Sequence, residues 1–301
     1  MNNNKDIIVV GSVAFDNIET IKGKHTRLLG GSGTYFSIAA SLFSKVYLVG
    51  VVGDDFNESY IKMFNSKSIS TDYLTQAIGK TFHWGGVYSD DFSTRETLFT
   101  KLGVFENFNP KIDSNLFTDS ILFLANIQPE LQQTMINQIN NPSLIVLDTM
   151  NLWIDNNSDE LLDVIKQSDI LLINDEEILQ LTNSSNIENA AKILLNNGLK
   201  YVIVKKGKKG SLIVSKDMRI SVPAVSNIDV FDPTGAGDSF AGGFLGYIAS
   251  NDNFDIINAV ITGTAIASYT VSDFGINGIK NLELHNIEKR IKLITNLMKG
   301  L

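Results

Sequence analysis

The 301-residue chain has no cysteine and only three histidines. Without cysteine there is no disulfide framework, no thiolate metal site and no cysteine nucleophile, and a cytoplasmic chain fits that usage. His25, His83 and His285 are scattered, with none of the spacing of a tight transition-metal site. Positive charge is also scarce. Lys and Arg number 25 against 33 Asp and Glu, a net charge of −8. No basic excess exists to displace phosphate counterions, so a nucleic-acid partner is not expected. An anionic small molecule stays open, since it needs only local donors. Long apolar runs are missing as well. The stretch IINAVITGTAIASYTV, residues 256–271, carries Asn, Thr, Ser and Gly and is shorter than the ~18–20 residues that span a bilayer. A buried helix and no membrane partner are expected. The polar start MNNNKD runs straight into a strand-like segment, which argues against a secretory leader. No internal repeat, low-complexity tract or domain-scale linker interrupts the chain, so one domain over residues 1–301 is expected.

Hydrophobic residues make up 44% of the chain and charged residues 19%, enough for a substantial core. Short apolar runs recur: IIVVG from Ile7, VYLVGVVG from Val46, ILFLA from Ile121, LIVLD from Leu144, ILLIN from Ile170 and YVIVK from Tyr201. Each is of strand length, rich in β-branched residues and apolar on both faces, as central parallel strands must be. Helix-like segments lie between several of them, for example residues 159–167 and 186–198, the second ending in a candidate glycine cap. This alternation predicts an α/β fold: three layers, doubly wound, with a mostly parallel sheet between helices. Ligands of such sheets gather at the carboxyl ends of the strands. Two polar, Thr-rich and aromatic segments, about 16–31 and 79–103, break the rhythm with partial alternation. They read as strands with one exposed face, a small sheet standing off the body and serving as a lid, or else as plain surface hairpins.

The most informative stretch is FDPTGAGDSFAGGF from Phe231. Gly235, Ala236 and Gly237 strip one turn of side chains just before a helix that starts near Asp238. Free amides at such a helix start cradle anions, and the helix dipole reinforces them. A tight turn followed by close helix packing is the competing reading, and Gly242, Gly243 and Gly246 suit it. Asp238 tips the balance. A carboxylate beside a phosphate cradle is useful when it takes the proton of an alcohol attacking that phosphate, which is small-molecule kinase chemistry. Other phosphate motifs do not fit: no GxxxxGK[ST] is present, and Phe240 stands where a dinucleotide fingerprint needs its third glycine.

The stretch DPTGAGDSFAGGF resembles the C-terminal signature of the ribokinase-like (PfkB) carbohydrate kinase family. The stretches VVGSVAFDNIE, LLGGSGTYFSIAASLF and LVGVVGDDF resemble that family's opening strand, Gly-Gly loop and next strand, and INDEE carries its NxxE pattern. The matches run in order from residue 7 to about 280. The resemblance implies the fold predicted above and an ATP-dependent kinase that transfers the γ-phosphoryl group to a hydroxymethyl group of a sugar or nucleoside. Asp238 would be the general base, and the amides of Gly235, Ala236, Gly237 and Asp238 would stabilise the transferring phosphoryl. Asn174 and Glu177 would hold Mg2+ through water; the residues alone would equally suit a solvated helix start. Asp16, Gly30 and Gly31 would bind substrate. Lys205, Gly207, Gly210, Thr234 and Gly237 would line the nucleotide, with a solvated basic turn as the plainer reading of VKKGKKGS. Asp232 is the candidate ligand of a monovalent cation such as K+, although Ile279 stands where some relatives have a hydroxyl ligand.

Many sugar-phosphorylating relatives carry Asn where this chain places Tyr35, so the substrate pattern read here should differ, unless Tyr35 is a core aromatic at helical spacing with Phe36 and Ala39. Asn126 and Asn151 follow apolar runs and are expected at strand ends facing the pocket. Trp84 on the lid is a candidate for stacking on a ring. Arg95 is a candidate for an acidic substituent or for pairing with a neighbouring acid. Two alternatives stand beside the sugar or nucleoside kinase: a vitamin-type kinase acting on a hydroxymethyl pyrimidine or pyridine, and a non-catalytic ligand-binding relative. Exposed strand edges of the lid also make a homodimer through the lid an expectation.

Overall fold

The computed structural model describes residues 4–113 and 117–299. Residues 1–3 of the polar start, and both ends of the 1–301 span, lie outside the described residues. In chain order the first elements are β1 (Ile7–Val10), β2 (Ala14–Thr20), β3 (Gly23–Gly30), α1 (Ser32–Ala40), β4 (Val46–Val52) and α2 (Glu58–Ser66). Then come β5 (Ile69–Ser70), β6 (Leu74–Gln76), β7 (Phe82–Tyr88), β8 (Arg95–Lys101), β9 (Ile121–Leu124), α3 (Pro129–Ile136) and β10 (Leu144–Asp148). Next are α4 (Asn151–Asn156), α5 (Ser158–Lys166), β11 (Ile170–Asn174), α6 (Asp175–Thr182), α7 (Ile187–Asn196) and β12 (Tyr201–Lys205). The chain closes with β13 (Ser211–Val214), β14 (Arg219–Val222), α8 (Ala236–Ala249), α9 (Ile256–Thr270) and α10 (Leu284–Lys299).

Ten strands form the main sheet in the order β14-β13-β12-β11-β10-β9-β1-β4-β5, with β6 beside β4. The pairs from β12 through β5 are parallel, and β13 and β14 extend the sheet antiparallel. Alternation along β1 shows the layering. Ile7 and Val9 join the core that contains α1, α8 and α9, whereas Ile8 and Val10 join the core that contains α3, α5, α6 and α7. Both faces of the strand are therefore dry, which is why its sequence is apolar without interruption. Helices α8 and α9 are apolar almost all round because they are buried almost all round. Helix α1 lies against α8 nearly backbone to backbone: a Cβ on Gly242 would sit 2.4 Å from the Phe36 carbonyl oxygen. Among the described residues no helix is long and apolar enough to cross a membrane.

A second sheet of four strands, order β3-β2-β7-β8, comes from the two polar segments. It consists of two antiparallel hairpins joined by a parallel β2–β7 pair. Directly paired residues share a face, so Asp16 lies beside Trp84, and Tyr88 beside Arg95. In the main sheet, Lys205 is in register with Asn174 at the carboxyl ends of β12 and β11, and Asp148 closes β10 next to them. These ends, the start of α8 and the small sheet come together: Lys205 lies beside Gly237 and Asp148, and Tyr88 of the small sheet reaches Thr234.

Candidate active site

Helix α8 begins at Ala236, two residues earlier than its Asp suggested, with Gly235 at the N-cap in the left-handed conformation, φ 74°. That conformation favours glycine, and the space does too, since a Cβ on Gly235 would lie 2.4 Å from the Tyr35 ring. The amides of a first helical turn have no partner within the helix. Among the described residues the Gly235 and Gly237 amides donate to no acceptor, so they remain available to an anion. Asp232 shapes the approach to this turn. Its Oδ1 accepts from the Thr234 amide and its Oδ2 from the Gly275 amide, each at 2.9 Å. The carboxylate is fully buried and ties the two loops together.

Asp238 stands half-buried in the first turn of α8. Burial, and then the Asp148 carboxylate, push its pKa up to about 7, with Lys205 pulling the other way. Lys205 donates to both oxygens of Asp148, at 2.9 and 3.0 Å. Burial alone would lower the Lys205 pKa, but the Asp148 and Glu177 carboxylates outweigh it and hold the ammonium above its ordinary value. The same ammonium is 3.2 Å from where a Cβ of Gly237 would be, so it flanks the glycine turn rather than standing in a solvated loop. Gly207 is exposed in the turn that follows β12, whereas Gly210 is buried where a Cβ would strike the Val222 carbonyl oxygen at 2.1 Å.

Asn174 and Glu177 form a reciprocal cap at the start of α6. The Asn174 Oδ1 accepts from the amides of Glu176 and Glu177, at 3.0 and 2.7 Å, and Glu177 Oε2 accepts from the Asn174 amide at 3.0 Å. Glu177 keeps its second oxygen free of hydrogen bonds. Its pKa is pushed up to about 7, first by burial, with Lys205 opposing and Asp148 adding to the rise. Among the described residues no cluster of three or more His, Cys, Asp or Glu side chains is arranged to hold a metal ion. The oxygen donors present match a hydrated Mg2+ shared with phosphates, the usual mode for this ion, and not a site made of protein ligands alone.

Across the cleft Asp16 is 4% exposed and its pKa is pushed up to about 7, by burial first and then by Asp232 and Asp238. Gly30 is pressed against it: a Cβ there would fall 1.8 Å from Asp16 Oδ2. Gly31, φ 91°, is the N-cap of α1, and a side chain on it would strike the Ser12 carbonyl oxygen at 2.4 Å. The small sheet closes the other side. Tyr88 and Thr234 share a hydroxyl–hydroxyl hydrogen bond of 3.0 Å, and Thr20 donates to the Phe231 carbonyl at 3.0 Å. Trp84 donates to Thr97 Oγ1 at 3.3 Å, and the Arg95 guanidinium lies 5.2 Å from its ring centre. Arg95 also lowers the pKa of Asp16, Asp238 and Glu177, so it is a cation facing the acidic cleft.

The remaining residues singled out in the sequence are placed as follows. Asn126 is half-buried after β9, its Oδ1 accepting from Trp153 Nε1 at 2.9 Å. Asn151 is exposed at the start of α4, its Oδ1 accepting from the Leu152 amide. Tyr35 is 1% exposed and forms part of the core. Ile279 is buried, and its side chain carries no oxygen. Two residues of the site, Asp148 and Tyr88, carried no sequence signal of their own. Asp148 is a lone acid ending an apolar run, and only its distance from Lys205 in space gives it meaning.

The family described as pfkB family carbohydrate kinase matches residues 4–281. A cytidine kinase of Thermococcus kodakarensis is 28% identical over 246 residues, which cover 80% of this chain and 87% of that one. The crystal structure of Methanocaldococcus jannaschii nucleoside kinase, described as an archaeal member of the ribokinase family, superposes with a TM-score of 0.78 at 22% identity. It covers 97% of this chain and 100% of that one. A putative ribokinase II from E. coli, solved in complex with ATP and Mg2+, gives a TM-score of 0.81 at 19% identity, covering 96% of this chain and 99% of that one. Both structures share the fold described above.

Proposed function

Because the chain belongs to the pfkB family of carbohydrate kinases, and so to the phosphotransferases with an alcohol acceptor, we propose that it transfers the γ-phosphoryl group of ATP to a hydroxymethyl group of a sugar or nucleoside. One observation carries the reading. The free amides of Gly235 and Gly237 and the carboxylate of Asp238 share the first turn of α8, so phosphate grip and proton acceptor are built on one rigid element. Asp238 takes the proton of the acceptor hydroxyl as that oxygen bonds to the γ-phosphorus and the bond to the ADP oxygen breaks. The amides of residues 235–238 and the Lys205 ammonium meet the charge on the phosphoryl oxygens. Asp16 accepts hydrogen bonds from other hydroxyls of the acceptor and so aims its CH2OH group at the turn.

Glu177 and Asn174 would hold Mg2+ through water, and the ion, when bound, offsets phosphate charge that Lys205 and Arg95 alone do not balance. For a monovalent cation the residues fit less well, because Ile279 has no side-chain oxygen to offer and each Asp232 oxygen already shares a lone pair with an amide hydrogen. The small sheet acts as the lid: its contacts through Tyr88 and Thr20 land on the loop that leads into the phosphate turn, so closure shields the phosphoryl from water. The indole and phenol on the inner face of the lid suit a nucleoside, the acceptor class in the name of the Thermococcus relative. The exposed strand β8 leaves a free edge for a second copy. An ADP-release screen across nucleosides and sugars tests the function, with Asp238→Asn as the blank. Release that depends on an added alcohol and disappears in the variant supports it; alcohol-independent release contradicts it.

A further inference from the structure

Tyr35 connects the two halves of the reaction. It lies one turn into α1, the helix that starts at the Gly30–Gly31 loop against Asp16. Its ring stands face-on against the phosphate turn: a Cβ on Gly235 would lie 2.4, 2.4 and 2.5 Å from Tyr35 Cδ1, Cγ and Cδ2. The hydroxyl, by contrast, is buried without a hydrogen-bond partner among the described residues. Buried tyrosine hydroxyls usually find a partner and an orphan lowers stability; this one is close enough to Asp16, Asp232, Tyr88 and Asp238 that, after burial, they raise its pKa, while the ring makes the packed contact with Gly235. Helix α1 cannot slide against α8, because Gly242 and Gly246 bring it onto the Phe36 and Ala40 carbonyls. The separation between the acceptor loop and the phosphate turn is therefore set inside one packed unit, whatever the small sheet does.

We propose that Tyr35 is a positioning residue whose ring is the floor of the phosphate turn, holding Gly235 in its left-handed conformation and fixing that turn relative to the acceptor loop. This rests on the reading of residues 235–238 as the phosphate grip, and it opposes a role for the phenol as a reader of acceptor hydroxyls.

The test is a double-mutant cycle between Tyr35→Ala and Gly235→Ala, with Tyr35→Phe as the conservative variant. Each protein is titrated calorimetrically with the Mg2+ complex of β,γ-methylene-ATP, and its melting curve is recorded. Tyr35→Phe keeps the floor and removes the orphan, so binding stays within about 2-fold of wild type and melting is unchanged or higher. Tyr35→Ala weakens binding about 10-fold and Gly235→Ala about 100-fold, but the double variant stays near 100-fold, because the new methyl enters the vacated space. A double variant near the 1000-fold product of independent effects would overturn the proposal. So would a Tyr35→Phe protein that binds the analogue as poorly as Tyr35→Ala. A Tyr35→Phe protein whose acceptor KM rises about 10-fold with unchanged analogue binding would also overturn it, since the phenol would then read the acceptor. If wild type binds the analogue yet phosphorylates no alcohol, the kinase reading fails while the binding cycle still decides the role of Tyr35.

Discussion

Replacing Asp238 by Asn should make the protein more stable and nearly inactive at once. Burial and the neighbouring Asp148 carboxylate raise the Asp238 pKa from 3.8 to about 7. A rise of roughly three pH units corresponds to about 4 kcal/mol of disfavoured ionisation. Water in the half-open cleft screens part of this, so about 2 kcal/mol is expected from the substitution, or a Tm gain of about 3–6 °C. The sign follows from linkage. Between pH ~4 and ~7 the folded protein keeps a proton that the unfolded chain has lost, so wild-type stability falls with rising pH across that window and then levels off. The advantage of the Asn variant is thus absent near pH 4, grows toward pH 7 and stays constant above it. The same substitution removes a negative neighbour from Asp16. Turnover should fall at least roughly 100-fold, the range for loss of a positioned base, with nucleotide binding retained. Melting scans at pH 5 and pH 8, paired with ADP release at pH 8, measure both effects. Equal melting temperatures at pH 8 would refute the electrostatic argument, and turnover within tenfold of wild type would refute the base.

Gly30→Ala would put a methyl 1.8 Å from Asp16 Oδ2; the acceptor KM should rise at least about 10-fold while the KM for ATP stays within about 2-fold. Lys205→Met leaves the Asp148 carboxylate, 3% exposed, without its partner. It should cost about 3–5 kcal/mol in urea unfolding, and adding Asp148→Asn should recover most of that loss. Tyr88→Phe removes the 3.0 Å bond to Thr234, worth about 0.5–1.5 kcal/mol. Amide hydrogen exchange in β7 and β8 should speed up accordingly, and unchanged exchange would mean that this bond does not hold the small sheet down.

The strands of the main sheet were legible because parallel strands buried on both faces must be apolar throughout, and the six runs from Ile7 to Tyr201 are β1, β4, β9, β10, β11 and β12. The two-residue β5, the four-residue β13 and the half-exposed edge strand β14 were not read, because a short or half-exposed strand leaves a weaker pattern. The side-chain-free turn before α8 was legible from its glycines. The start of its helix was read late because an Asp at position 238 resembles a cap, whereas the cap is Gly235. NDEE carried two readings, and its geometry explains why: the cap and the free Glu177 oxygen coexist in one motif. What the chain could not disclose is pairing at long range. Asp148 and Lys205 are 57 residues apart and Tyr88 and Thr234 146 apart, and the local amide bonds at Asp148 and Thr234 give no sign of these distant partners. Tyr35 was ambiguous for a related reason, since a helical aromatic looks the same in sequence whether it faces a ligand or supports a turn.

The most direct measurement follows the phosphorus itself. The protein is incubated with Mg-ATP and the nucleosides or sugars that stimulate ADP release, and the mixture is examined by proton-coupled 31P NMR. The account predicts a phosphate monoester resonance split into a triplet by the two protons of a CH2 group, growing as the γ-phosphate signal declines and absent with Asp238→Asn. Inorganic phosphate as the sole product, or a monoester formed equally well by the variant, would contradict it.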